Sequence, residues 1–350
     1  MNGDPVSGHP EPAGTPPSGK AGTPRRAHVR NALKMVIGVG ILAWLFTKIP
    51  IREVGQTLRT ANPMWLATAC VLFLVSLVVL ARRTRYITRH QGLTLNTMAL
   101  LRITAAVSFY NMAMPGGIGG SVIRWHKMSR KDAKPAQAFN AMMYDRVITH
   151  LVLLLVGGIF LAVDWPFGRH PLAWPAALAL AITGAVYLAT YALMFNGRVS
   201  AWVDLRVAPR MPGRIREALR RIATSTDRFA ELSPRVKWKI WGWSLLGRAF
   251  NLMVYYSLVL ALDLPLSFAA IAWVRTVVYC AVLLPVSFSG LGVREGVTVA
   301  LLTPYGVAPE SALALSMLVF SFILIHAFMG GMFEIFDGMQ GASRRKDAQR

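Results

Sequence analysis

The residues with most chemistry in this chain are arginines and carboxylates set within apolar stretches. They are Arg124, Asp145, Arg146, Arg248, Arg275, Arg294 and Glu295, with Glu334 and Asp337 near the end. An ionised group in apolar surroundings is costly, and it persists by pairing or by lining a wet path. Asp145–Arg146 and Arg294–Glu295 are adjacent in sequence, so on a helix the two members of each point about 100° apart. Each is therefore expected to pair across to another element, Asp145 with Arg294 or with Arg124. Arg102, Arg248 and Arg275 read equally well as lining a vestibule or as snorkelling to an interface. A guanidinium can grip a phosphate through two parallel hydrogen bonds. Arg124 and Arg294 are therefore candidate anion-binding groups, with Asp145 or Glu295 as counter-ion.

Proline and glycine punctuate the same regions. MPGGIGG spans 114–120 and LPVSFSGLG spans 284–292. Aligning Pro115 with Pro285 puts Gly120 on Gly290 and Arg124 on Arg294, a shared P-x-x-x-x-G-x-x-x-R. Breakers of this kind free backbone groups, and irregular backbone at membrane depth survives only inside protein or beside a wet cavity. The half-helix that follows each breaker would present a partly positive N-terminus. Gly116, Gly117, Gly119, Gly120, Gly290 and Gly292 thus join the arginines as candidates for holding an anion. The competing reading is that the glycines only permit tight helix packing.

Other chemistry is thin. His126, His150 and His326 are scattered and read as packed or interfacial residues. Cys70 and Cys280 both lie in apolar runs, without a CxxC or a Cys/His cluster, so neither a zinc site nor a disulfide framework is expected. HExxH, GxSxG and the Walker pattern G-x-x-x-x-G-K-[ST] are absent. The expectation is a non-enzyme with no metal and no cofactor.

These residues need a scaffold, and composition says which. Hydrophobic residues make up 54% of the 350 and charged residues only 15%, against roughly 25% charged in soluble domains. Uncharged runs cover 63–81, 103–123, 147–163, 171–197, 276–293 and 311–333. A bilayer core takes about 20 apolar residues as helix. The chain therefore reads as an all-α polytopic membrane protein. Six full spans fall at about 32–49, 63–81, 138–163, 171–195, 238–262 and 310–336. Segments 97–128 and 268–304 are broken, re-entrant hairpins.

The net charge of +22 would suggest nucleic acid in a soluble protein. Here the positive charge sits between apolar runs, and no nucleic acid is expected. Basic residues cluster before the first span, at 82–89, at 127–134, through 196–237 and after the last span. By the positive-inside rule all of these, and both termini, are cytoplasmic. The first hairpin then opens inward and the second outward, which makes an inverted-topology repeat of the kind secondary transporters use. The expected organisation is a disordered tail at 1–31, a first membrane repeat at 32–163, a second at 164–338 and a tail at 339–350. Segment 196–237, inside the second repeat, reads as a basic amphipathic helix on the inner leaflet or as a solvated linker.

The motifs Met114–Arg124 and Ser287–Gly296, with Tyr144-Asp145-Arg146 opening the next span, resemble the lysylphosphatidylglycerol synthase transmembrane-region family. The resemblance covers about 32–338. It implies a flippase-like domain that moves a phospholipid or lipid-linked substrate between leaflets, in a bacterial cytoplasmic (inner) membrane. Two departures qualify it. Two-domain synthases add a cytoplasmic aminoacyltransferase, and with so few residues after the last span aminoacyl transfer is not expected here. Many relatives carry an acid where this chain has Ser121. The expected partners are membrane lipids with an anionic head group, with a homo-oligomer left open. The alternatives are a small-anion or other solute transporter, or a membrane-embedded lipid-modifying enzyme.

Overall fold

A computed structural model describes residues 56–113, 118–130, 132–165, 172–195, 232–283 and 290–347, together with Trp202 and Gly213. Among them there is no strand. The N-terminal tail, the first expected span, the last three residues of the C-terminal tail, the breakers 114–117 and 284–289 (with Gly116 and Gly117) and most of segment 196–237 lie outside the described residues.

Nine α-helices are described. They are α1 Pro63–His90, α2 Thr97–Ala113, α3 Ile118–Arg130, α4 Pro135–Asp164, α5 Ala173–Phe195, α6 Pro234–Ala261, α7 Phe268–Leu283, α8 Val293–Leu302 and α9 Pro309–Asp347. Five of them are long and apolar enough to cross a membrane: α1, α4, α5, α6 and α9. Of these five, all but α5 begin on a proline. Proline there loses no intrahelical bond and is already set at a helical φ. Asn62 caps α1 by accepting from the Met64 N–H at 2.9 Å.

Helix α1 runs past the expected boundary at 81 to His90. Hydropathy stops at the first charge, whereas the hydrogen-bond ladder does not. The two broken segments are each a pair of helices, α2–α3 and α7–α8, and the members of each pair pack on one another.

The packing obeys an exchange of halves. Helix α2 packs on α9 as α7 packs on α4, and α3 packs on α4 as α8 packs on α9. The equivalent helices α1 and α6 pack on each other. They do so head to tail: the Asn62 N–H at the start of α1 donates to the Ala261 carbonyl at the end of α6 at 2.8 Å. Midway, Gly247 faces Val79. Equivalent helices that run antiparallel mean that the two halves have opposite orientation.

Two glycine pairs make the crossings close. A Cβ on Gly157 of α4 would lie 2.5 Å from Thr276 Cγ2 of α7, and one on Gly330 of α9 would lie 1.9 Å from the Ala105 carbonyl oxygen of α2. Small residues of this kind let membrane helices approach backbone to backbone. Outward faces are apolar: Leu178, Ile182 and Val186 of α5 are exposed one helical turn apart, as a lipid-facing surface should be.

Candidate functional site

Three polar constellations lie within this bundle. The first joins α1, α3 and α4. Asp145 is 3% exposed. One of its oxygens accepts from Arg83 Nη2 at 2.6 Å and the other from Arg124 Nη2 at 2.8 Å. Arg83 also donates to Thr149 Oγ1 at 2.8 Å. Two guanidiniums on one carboxylate leave the group with a net positive charge. Beside it, Arg146 reaches Ser121 Oγ of α3 at 3.3 Å. Of the two partners expected for Asp145, the structure therefore supplies Arg124 and adds Arg83 in place of Arg294.

Arg83 was counted among the cytoplasmic charges by the sequence reading, yet it is buried. A signal was present. Val79, Arg83 and Ile87 recur every fourth residue, and all three are buried, so Arg83 continues the inward stripe of α1.

The second constellation is Arg294–Glu295 at the start of α8, and here the expectation of pairing across to another element fails. The two residues pair with each other. Glu295 Oε1 accepts from Arg294 Nε at 3.0 Å and also from its Nη2. Its Oε2 accepts from the Gly292 N–H at 2.7 Å. That cap fixes the carboxylate at the helix mouth, where the long guanidinium can turn back to it. Gly290 and Gly292 both have positive φ, 77° and 80°, which is the conformation that brings the chain into α8. Arg294 also lies over the Phe320 ring of α9, 4.6 Å from its centroid. Gly120 is used for packing: a Cβ there would fall 2.1 Å from Asn111 Oδ1 of α2.

The third constellation surrounds two adjoining cavities, the larger between the halves and the smaller within the second half. The larger, about 170 Å³, is lined by Phe73, Ser108, Asn251, Tyr255, Arg275, Phe322 and His326, among others. These residues come from α1, α2, α6, α7 and α9. Ser108 and His326 are hydrogen-bonded at 3.1 Å. Asn251 accepts from Arg248 Nη1 at 3.2 Å. Arg275 stacks over Tyr255 at 4.3 Å and stands 5.4 Å from the Tyr279 centroid. Arg248 and Arg275 lie within electrostatic reach of one another. Among the described residues neither has a carboxylate partner. Arg248 is midway along α6 and Arg275 midway along α7.

The structure thus separates the two matched arginines. Arg124 belongs to the first constellation, whereas Arg294 lines the smaller cavity with Arg275. Outside these groups, Lys127 of α3 pairs with Glu334 of α9, to which Tyr110 also donates at 3.4 Å. Asp164, one residue past the expected span 138–163, is buried at the end of α4. It accepts from Trp273 Nε1 at 3.0 Å and from the Tyr305 hydroxyl. Burial, and then the hydrogen bond to Asp164, holds the Tyr305 phenol above its ordinary range.

The fold and these groups define a multi-pass helical membrane protein of two oppositely oriented halves, each with a broken helical hairpin. Residues 31–331 match the lysylphosphatidylglycerol synthase TM region, and the chain belongs to that family. It is also similar to a UPF0104 membrane protein of Methanothermobacter thermautotrophicus, 24% identical over 317 residues, which is 85% of this chain and 93% of that protein.

Proposed function

We propose that the protein is a translocase, not an enzyme, that moves an amphiphile with an anionic head, a phospholipid or a lipid-linked phosphate, between leaflets. The observation that carries this reading is the larger cavity. It lies between the halves and combines an apolar wall of Phe73, Val254, Leu258 and Phe322 with Arg275, Asn251, Ser108 and His326. Such a lining suits a molecule with one charged end and one oily end. An arginine at membrane depth without a carboxylate favours an anionic guest. Arg275 carries the contact to the head group in this reading, and Arg248 stands behind it on Asn251. Arg124 and Arg294, already paired with carboxylates, hold their hairpins in place. The membrane is the bacterial cytoplasmic one, with both termini inside.

The test is reconstitution into liposomes with a head-labelled phospholipid and an impermeant quencher. Protein-dependent access to the inner-leaflet label is expected, and Arg275→Gln should slow it at least about tenfold, as loss of a charged contact does. Vesicles that pass chloride or phosphate but never exchange lipid would overturn the reading in favour of a small-anion transporter.

A further inference from the structure

The smaller cavity carries an inference of its own. Its volume is about 20 Å³, and it is lined by Tyr255, Arg275, Arg294, Thr298, Leu315 and Ser316 along with aliphatic side chains of α7 and α9. That is room for a single water-sized particle. Two hydrogen-bond donors among these residues are buried without an acceptor: Arg275 Nε and Ser316 Oγ. Ser316 is 2% exposed. Two of the other polar side chains are committed. Arg294 is bound to Glu295, and the Thr298 hydroxyl donates to the Arg294 carbonyl at 2.7 Å. The rings of Tyr255 and Tyr279 lie against the Arg275 guanidinium and leave its in-plane N–H groups seeking an acceptor.

We propose that this compartment is a halide site, in which a chloride ion accepts from Arg275 Nε and Ser316 Oγ and serves as the counter-ion of Arg275. Three features select a monatomic anion. The volume excludes a phosphate or a carboxylate without rearrangement. Arg275 has no carboxylate partner among the described residues, so a charge is wanted there and not only a dipole. A water molecule would satisfy both donors but would have only the Tyr255, Thr298 and Ser316 oxygens for its own two hydrogens, the rest of the wall, Ile271, Val274, Val278, Leu315 and Val319, being aliphatic. A halide only accepts, and an aliphatic wall asks nothing further of it. Because Arg275 also borders the larger cavity, an anionic guest there would contest the same guanidinium. The site needs no lipid, and its test is made without one.

The experiment is thermal unfolding of the full-length protein in detergent at fixed ionic strength, with gluconate replaced stepwise by chloride or bromide. The midpoint should rise saturably with either halide, and far less with inorganic phosphate at the same concentration. Ser316→Ala should weaken the apparent halide affinity by about three- to tenfold, the worth of one hydrogen bond. Arg275→Gln should abolish the halide response while still unfolding cooperatively in gluconate. Should Arg275→Gln not fold, Ser316→Ala and bromide anomalous scattering from a crystal still decide. A midpoint indifferent to halide, an equal rise with phosphate, an unaltered halide response in Ser316→Ala, or bromide density absent from this compartment would each overturn the proposal. Lipid exchange measured separately can succeed or fail whatever this result.

Discussion

Asp145 is the residue on which most depends. It neutralises one of two guanidiniums, and both lose their carboxylate if it goes. Removing one partner of a buried ion pair costs about 3–5 kcal/mol, so Asp145→Asn should lower unfolding stability in detergent by that order. Arg124→Gln should cost clearly less, because its side chain is 21% exposed and Arg83 stays on the carboxylate. Equal losses in the two variants would show that the pair with Arg83 contributes little. Arg294→Lys is a different case. Lysine keeps the charge but not the paired donors that meet Glu295 Oε1, so thermal stability and lipid exchange should both fall. Unchanged stability with lost exchange would instead assign Arg294 to the substrate, as the sequence alone had suggested.

At the scale of elements, the glycine pairs give a clean control. Gly157 faces Thr276, and a Cβ on its neighbour Gly158 would meet nothing within 4 Å. Gly157→Ala should cost about 1–3 kcal/mol through overpacking, and Gly158→Ala should be neutral or slightly stabilising in a helix interior. Gly330→Ala should cost at least as much as Gly157→Ala, because the obstacle at Ala105 is backbone. Similar values for Gly157→Ala and Gly158→Ala would mean that the α4–α7 crossing is looser than described. The elements themselves were largely legible in the sequence, since long apolar runs and Pro/Gly interruptions act locally. The glycine contacts were not. Gly157 and Gly330 look like any small residues in a membrane helix until the partner helix is placed against them. The Arg294–Glu295 pair was hidden for a related reason: the 100° rule describes Cβ directions and says little about a side chain as long as arginine. Arg83 was hidden by its neighbour Arg82, since a run of basic residues reads as an interface whichever way one member points.

For the whole molecule, opposed halves fix which loops share a side. Ala136, next to the start of α4, and Ala308, just before α9, are both exposed and should lie on opposite faces of the membrane. In a variant without Cys70 and Cys280, Ala308→Cys should react with an impermeant maleimide in intact cells. Ala136→Cys should react only after permeabilisation. Labelling of both from outside would end the inverted arrangement. The halves were visible in sequence through the P-x-x-x-x-G-x-x-x-R echo, but the antiparallel seam of α1 and α6 was not, because it depends on contacts between residues some 170 positions apart.

The two hairpins differ in how their arginines are neutralised, and a transmembrane voltage would act on them differently. Arg124 is compensated by a carboxylate on another helix, α4, so a displacement of α3 away from it would carry a whole positive charge through the field. That is worth about 2.3 kcal/mol per 100 mV for full passage. Helix α8 carries Arg294 and Glu295 together, an electrically silent pair that travels as a unit. A change of membrane potential would therefore bias the α2–α3 hairpin and leave the α7–α8 hairpin indifferent. The membrane potential would thus act as a one-sided input on a molecule whose architecture is two-fold.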